Sequence, residues 1–149
     1  MKILKGTFMN KDCTITIKGL QFYDGEEENG SIELFTEGKY SQKNGNYYIT
    51  YKESEATGLE GVTTTLKIEG TERVTLIRSG TQRSQLVVEN GIRHLSHYDT
   101  GFGGLMIGVF GANISSTLSR DGGELQFEYT LDINSSLASK NKMYITVKS

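Results

Sequence analysis

Apolar and polar residues alternate with a period of two along most of this chain. That period is typical of β-strands with one buried face, because successive side chains of a strand point to opposite sides of the sheet. No stretch of helical length shows the 3.6-residue stripe of an amphipathic helix. The alternation is clearest in segments that we predict to be strands: Thr14–Leu20, Ser31–Tyr40, Tyr47–Glu53, Val62–Glu69, Arg73–Arg78, Glu124–Ile133 and Met143–Val147.

Short Gly, Asn and Asp motifs separate these segments, so most connections are predicted to be hairpin turns. A long antiparallel meander has to bury its apolar face and pair its edges, and closure into a barrel does both. The sequence therefore predicts an all-β fold with one domain over residues 1–149. We expect a single up-and-down antiparallel β-barrel of about 8–10 strands, a size that leaves room for one small ligand.

The central stretch Leu86–Gly111 has the densest signals, including both histidines. Asn90-Gly91 predicts a two-residue type I′ hairpin with Glu89 opposite Ile92. Two assignments of its inner face remain open: Leu86, Val88, Arg93, Leu95 and His97, or Val87, Ile92, His94, Ser96 and Tyr98. Three glycines then predict a loop at Gly101–Gly104, and Leu105–Phe110 is predicted to be a buried strand.

The inward face of the strands defines a predicted core. Its members share the apolar phase of their strands: Leu66, Ile68, Leu76, Leu125, Phe127, Tyr129, Leu131 and Ile145. Four tyrosines also fall on the predicted hairpin that includes Tyr40 and Tyr47. They form either a stacking platform for a ligand or, as we favour, ordinary cross-strand aromatic pairs.

Composition narrows the class of protein and partner. With 16 basic and 18 acidic residues, the net charge of −2 gives no electrostatic footprint for nucleic acid or for a membrane surface. The single cysteine, Cys13, excludes an internal disulfide, and the first residues contain no signal-peptide h-region. We therefore expect a cytoplasmic protein without a nucleic-acid or membrane partner.

A set of motifs resembles a known family. It consists of TTTLKIEG at Thr63–Gly70, then Val74, Leu76, Arg78 and Gly80 at alternate positions, then Ser84, Gly91-x-x-His94-x-Ser96-x-Tyr98-x-Thr100 and Gly108. This pattern resembles the YwiB-like family of uncharacterised bacterial proteins from about Ser31 to the C-terminus. The resemblance implies a calycin-like barrel, akin to lipocalins and fatty-acid-binding proteins, in a cytoplasmic protein from a bacterium of the Firmicute group. It implies no activity and no catalytic residues.

The sequence contains no convincing motif for a metal site, a cofactor site or a catalytic nucleophile. His94 and His97 form H-x-x-H, but on a strand their side chains leave opposite faces, and Cys13 is remote. The acidic stretch Asp24–Gly30 lacks the spaced ligands of a calcium loop, and Gly101–Gly104 lacks the features of a phosphate loop. We therefore predict no metal site, no cofactor and no catalytic residue.

Arg78 continues the inward face of its strand, where a charge has to be paired or reach water. We predict that it meets His94 and Tyr98 near one mouth of the barrel, with Ser84 as a further polar member. The favoured function is non-catalytic binding of a small, partly apolar, anionic ligand. One alternative is an enzyme at the barrel mouth, either hydrolase-like or decarboxylase-like, with Arg78, Tyr98 and Glu53 in the latter case. The other is an interaction module with a filled barrel.

Overall fold

Ten antiparallel strands form one continuous sheet that closes almost completely into a barrel. The computed structural model describes residues 8–23, 27–99 and 104–149. The strands are β1 (Phe8–Tyr23), β2 (Glu27–Lys43), β3 (Asn46–Lys52), β4 (Val62–Glu69), β5 (Arg73–Gly80), β6 (Ser84–Glu89), β7 (Arg93–Asp99), β8 (Gly104–Ser116), β9 (Gly122–Ile133) and β10 (Ser136–Lys148). Within these ranges the helical structure is one 3-10 turn, Glu55–Thr57. The predicted all-β, lipocalin-like barrel is thus confirmed.

The sheet order is β6-β5-β4-β3-β2-β1-β10-β9-β8-β7. Every ladder but one joins strands that follow each other in the chain, as expected for an up-and-down meander; the exception joins β1 to β10. The base of the barrel carries the turns at Asn44-Gly45, Gly70–Glu72 and Asn90-Gly91. The mouth, at the opposite end, carries the connections 53–61 and 81–83 and the turn Asn134-Ser135.

The predicted core is formed by the inward positions. Leu66, Ile68, Leu76, Leu125, Phe127 and Ile145 are buried, and Tyr129 and Leu131 are half-buried against them. The tyrosines of the β2–β3 hairpin belong to this core: Tyr40 has no exposed surface and stacks on Tyr47 at a ring-centroid distance of 5.4 Å. The cross-strand interpretation of Tyr40 and Tyr47 is therefore correct.

The hairpin predicted at Asn90-Gly91 is wrong beyond its first pair. Glu89 and Ile92 form an isolated bridge, after which β6 and β7 diverge as the two edges of the sheet. A type I′ turn needs positive φ at both central residues, and here Gly91 has it (φ 77°) while Asn90 does not. The amides of Asn90 and Gly91 instead donate to the carbonyls of Glu72 and Gly111, at 2.9 and 2.8 Å.

Of the two inner faces left open by the sequence, the one with Leu86 and Val88 is right for β6, and the one with His94 is right for β7. In β6 the inward residues are Leu86 and Val88, and Val88 pairs with the fully buried Val74. In β7 the inward position His94 pairs with the fully buried Val109. The irregular turn changes the phase between the two strands, which simple alternation does not anticipate.

Two further predictions about β8 are wrong. Leu105–Phe110 is not buried on both faces, since Leu105, Met106 and Phe110 are 37%, 44% and 40% exposed. The strand does not end at Phe110 as predicted, because it continues to Ser116 through a bulge where Asn113 has a φ of 53°. The strand β2 begins at Glu27, within the acidic stretch Asp24–Gly30, whose residues 24–26 lie outside the described part of the chain.

Candidate functional site

The interior of the barrel is apolar toward the base and polar toward the mouth. Near the base the inward positions are filled by residues such as Val74, Val88 and Phe127, which are at most 1% exposed. Nearer the mouth, the same strand faces change to polar residues: Tyr51, Thr64, Arg78, Ser84, Asn141 and Ser139. The candidate site lies in this polar half, which we call the lumen site.

One wall of the lumen site is a row of four inward residues on adjacent strands. Tyr51 of β3 pairs with Thr64 of β4, which pairs with Arg78 of β5, which pairs with Ser84 of β6. Directly opposed side chains in an antiparallel sheet have Cβ atoms roughly 4.5–5.5 Å apart. The structure therefore brings two predicted site residues, Arg78 and Ser84, side by side.

The Arg78 guanidinium has unused hydrogen-bonding capacity. Its Nε atom is buried and has no hydrogen-bond partner among the described residues. Burial raises the pKa of the Tyr51 and Tyr129 hydroxyls, and the charge of Arg78 opposes that rise. Both phenols are therefore protonated at neutral pH, so the two tyrosines near the Arg78 guanidinium are uncharged.

Glu53 anchors the mouth. It is 8% exposed, and its two carboxylate oxygens accept hydrogen bonds from the hydroxyls of Thr57 (2.9 Å) and Thr64 (2.5 Å). Its backbone amide donates to the carbonyl of Val62 at 2.8 Å. These contacts tie the connection between β3 and β4 to the barrel wall, so the Glu53 carboxylate serves as a structural acceptor.

The opposite wall carries a chain of amides and a hydroxyl. Gln21 donates through Nε2 to Asn141 Oδ1 at 3.2 Å, and Asn141 Nδ2 donates to Ser139 Oγ at 3.1 Å. A cavity of about 350 Å³ lies between this wall and Arg78. Apolar residues, including Leu76 and Met143, line the same cavity, so it combines a cation, neutral polar groups and apolar surface.

His94 lies at the other end of the barrel. Its Nε2 atom is 2.7 Å from Glu89 Oε1, at the base end of β6. Ser84, beside Arg78, is five residues from Glu89 along that strand, which corresponds to roughly 17 Å at about 3.3 Å per residue. The structure thus does not bring His94 to Arg78. Its contact with Glu89 fastens the two edge strands where they meet.

Tyr98 is placed in part. Its backbone pairs with Leu105 toward the mouth end of β7, whereas its side chain lies outside the described part of the chain, as do the side chains of His97 and Asp99 and the whole of Thr100–Gly103. Sequence reasoning missed Tyr51, Thr64 and Asn141. Each is a polar residue in the apolar phase of its strand, and extending the phase of Met143, Ile145 and Val147 backward would have found Asn141.

The described residues contain neither a metal-binding cluster nor a membrane-spanning helix. No group of three or more His, Cys, Asp or Glu side chains that could hold a metal ion occurs within residues 8–23, 27–99 and 104–149. Over the same ranges, no helix has the length and apolar character needed to cross a membrane.

Comparison with known proteins places the fold and the family. The family described as "Domain of unknown function (DUF1934)" matches residues 15–145. Among solved structures, the crystal structure of the ywiB protein from Bacillus subtilis superposes with a TM-score of 0.81 at 23% identity and covers 99% of each chain. No curated protein matches the chain. The resemblance to the YwiB-like family is confirmed, and so is a nearly closed antiparallel β-barrel.

Proposed function

The chain belongs to the DUF1934 family, whose function is unknown, and we propose a function for it from the chemistry of the lumen site. The protein binds a small, partly apolar anion in that site and does not catalyse a reaction. The observation that carries this proposal is the buried Arg78 Nε without a partner at the wall of an interior cavity. Buried polar groups in proteins almost always have hydrogen-bond partners. A buried donor without one is stabilised when a bound ligand accepts its hydrogen bond.

The chemistry of the lining supports an anionic group on an apolar body. A guanidinium presents a planar fork of donors that matches a carboxylate or phosphate. The phenol of Tyr129 is protonated and can donate a hydrogen bond, and Leu76 and Met143 offer apolar contact. The Tyr51 hydroxyl is already hydrogen-bonded to Glu53 and Thr64. A cavity of about 350 Å³ lies within the usual range of small-molecule sites.

Binding is favoured over catalysis by the state of Glu53, the buried acid at the mouth of the barrel. Both Glu53 oxygens accept hydrogen bonds from threonine hydroxyls, so this carboxylate is not presented to the cavity as a free proton acceptor. The expected bacterial, cytoplasmic setting remains part of the proposal. It is supported by the free, buried Cys13 and by the similarity to a Bacillus subtilis protein.

The test is a thermal-shift screen with butanoate, octanoate and short alkyl phosphates. A ligand at one hundred times its Kd stabilises the native state by about 2.7 kcal/mol, which is expected to raise the Tm by roughly 5–10 °C. Arg78→Leu should abolish the shift. Arg83→Leu removes the same charge from an exposed turn and should preserve it.

The Arg78→Leu protein first has to show the wild-type far-ultraviolet circular dichroism spectrum. If a stabilising anion acts equally on both arginine variants, it binds elsewhere and the lumen site is refuted. If none of the anions shifts the wild-type Tm, the proposal fails for this ligand class.

A further inference from the structure

The outer face of the barrel carries a second groove, opposite the lumen site across the β9–β10 wall. Its volume is about 420 Å³. Outward positions on four adjacent strands line it: Phe22 of β1, Lys140 and Lys142 of β10, Glu128 and Thr130 of β9, and Phe110 and Ala112 of β8. The lumen cavity and this outer groove share Tyr129 and Asn141 in their linings.

The strand register places a phenylalanine at each end of the groove and short side chains in the groove itself. Phe22 pairs with Lys140, Lys140 with Thr130, and Thr130 with Phe110. Three steps of about 4.8 Å place the two phenylalanines roughly 14 Å apart across the sheet. Thr130, a short side chain on β9, lies between them, and Ala112 lies beside Phe110 on β8, so one aromatic ring has room over the sheet between the two phenylalanines.

The charge of the outer groove is positive. Lys140 and Lys142 lie two residues apart on the same face of β10, and neither forms an ion pair with a carboxylate among the described side chains, which do not include those of Glu27 and Glu28. This holds although Lys142 is directly opposite Glu128 in the β9–β10 ladder. The Lys142 ammonium is instead held over the Phe22 ring, 5.6 Å from its centroid. Among the residues that line the groove, two lysines and one glutamate give a net positive charge beside the two phenylalanines.

From this arrangement we propose that the outer groove is a second ligand site, which takes a small aromatic anion with a phosphate or carboxylate group. The ring lies between Phe22 and Phe110, and the anionic group reaches the ammonium groups of Lys140 and Lys142. Exposed phenylalanines and unpaired lysines each occur alone on many surfaces. Their convergence in one concave groove is what points to a ligand that has both an aromatic ring and a negative charge.

The probe is phenyl phosphate, titrated into the ¹⁵N-labelled protein and followed through backbone amide shifts. Inorganic phosphate and phenol serve as references that carry only the charge or only the ring. We expect phenyl phosphate to shift the amides of Phe110–Ala112, Glu128–Thr130 and Lys140–Lys142, and each reference to bind about tenfold more weakly. Equal affinity for inorganic phosphate would reduce the groove to a nonspecific charge effect and overturn the proposal.

Variants separate the outer groove from the lumen site. The double change Lys140→Gln with Lys142→Gln should weaken phenyl phosphate about tenfold, and Phe110→Ala should weaken it without removing a charge. Lys52→Gln, an exposed lysine on β3, is the matched control and should bind like the wild type. Arg78→Leu should also leave these shifts unchanged. If Arg78→Leu abolishes them while the lysine variant does not, the probe binds in the lumen and the outer groove is not a site.

Discussion

The aromatic core residue Phe127 allows a sharp test of which strand faces point inward. Phe127 is 1% exposed on β9 and stacks on Tyr129 at a centroid distance of 6.1 Å. Burial of about 150–200 Å² of side chain at about 25 cal/mol per Å² corresponds to roughly 4–5 kcal/mol, an upper estimate. Phe→Ala changes in protein cores cost about 3–5 kcal/mol. We therefore expect Phe127→Ala to lower the free energy of unfolding by about 4 kcal/mol.

The matched control is Phe35→Ala, because Phe35 is 72% exposed on the outer face of β2. This control should change stability by less than about 0.5 kcal/mol. Urea unfolding followed by far-ultraviolet circular dichroism suits a chain without tryptophan. With an m-value of about 2 kcal/mol/M, the midpoint should fall by about 2 M for Phe127→Ala and remain nearly unchanged for Phe35→Ala. Equal, small losses for the two variants would refute the assignment of the inner face.

Two further predictions concern a close backbone contact and the alkaline range. A methyl group at Gly38 would overlap the Thr50 carbonyl oxygen, so Gly38→Ala should lower the free energy of unfolding, measured in urea, by about 1–3 kcal/mol. Gly30 has open space around it, so Gly30→Ala should leave this free energy unchanged. A larger loss for Gly30→Ala than for Gly38→Ala would contradict the packing. Burial raises the pKa of Tyr40 above its unfolded value of about 10, so the stability that this tyrosine contributes is present below about pH 10 and is lost as the pH rises above it. Tyr40→Phe should therefore be less stable at pH 7 by about 1 kcal/mol, because its 2.6 Å hydrogen bond to the Ser119 carbonyl is lost, yet should lose less stability between pH 9 and 12 than the wild type.

The strands and the core could be predicted because both depend on local alternation. Val62–Glu69 was predicted with the bounds that β4 has, and its burial alternates without interruption. The placement of Arg78 inside the barrel followed from the same phase. The hairpin at Asn90-Gly91 failed because its backbone amides bond to Glu72 and Gly111, two partners that are distant in sequence and that no local pattern reveals.

The candidate site was predictable only along a single strand or between neighbours. Arg78 and Ser84 share a short hairpin, and the structure places them together. His94 was expected beside them because one histidine of the central stretch has to point inward, but the alternation of a strand gives the face of a residue and not its height along the barrel. That height depends on the stagger of every ladder between the two strands, and such stagger is a property of the closed sheet. The partnership of His94 with Glu89 was missed because the irregular turn at Asn90-Gly91 changes the phase between β6 and β7.

The ladder between β1 and β10 has a consequence for how the chain folds. Thr14 pairs with Lys148, and the Thr14 hydroxyl donates to the Lys148 carbonyl across a sequence separation of 134 residues. While the polypeptide is being synthesised, β1 can pair with β2 at once, but its other edge stays open until the last strand emerges from the ribosome. An open edge is a template for pairing with another chain, and long-range pairing is slow. The interval before β10 arrives is therefore when a nascent chain is most exposed to aggregation, and a chain truncated after β9 should self-associate.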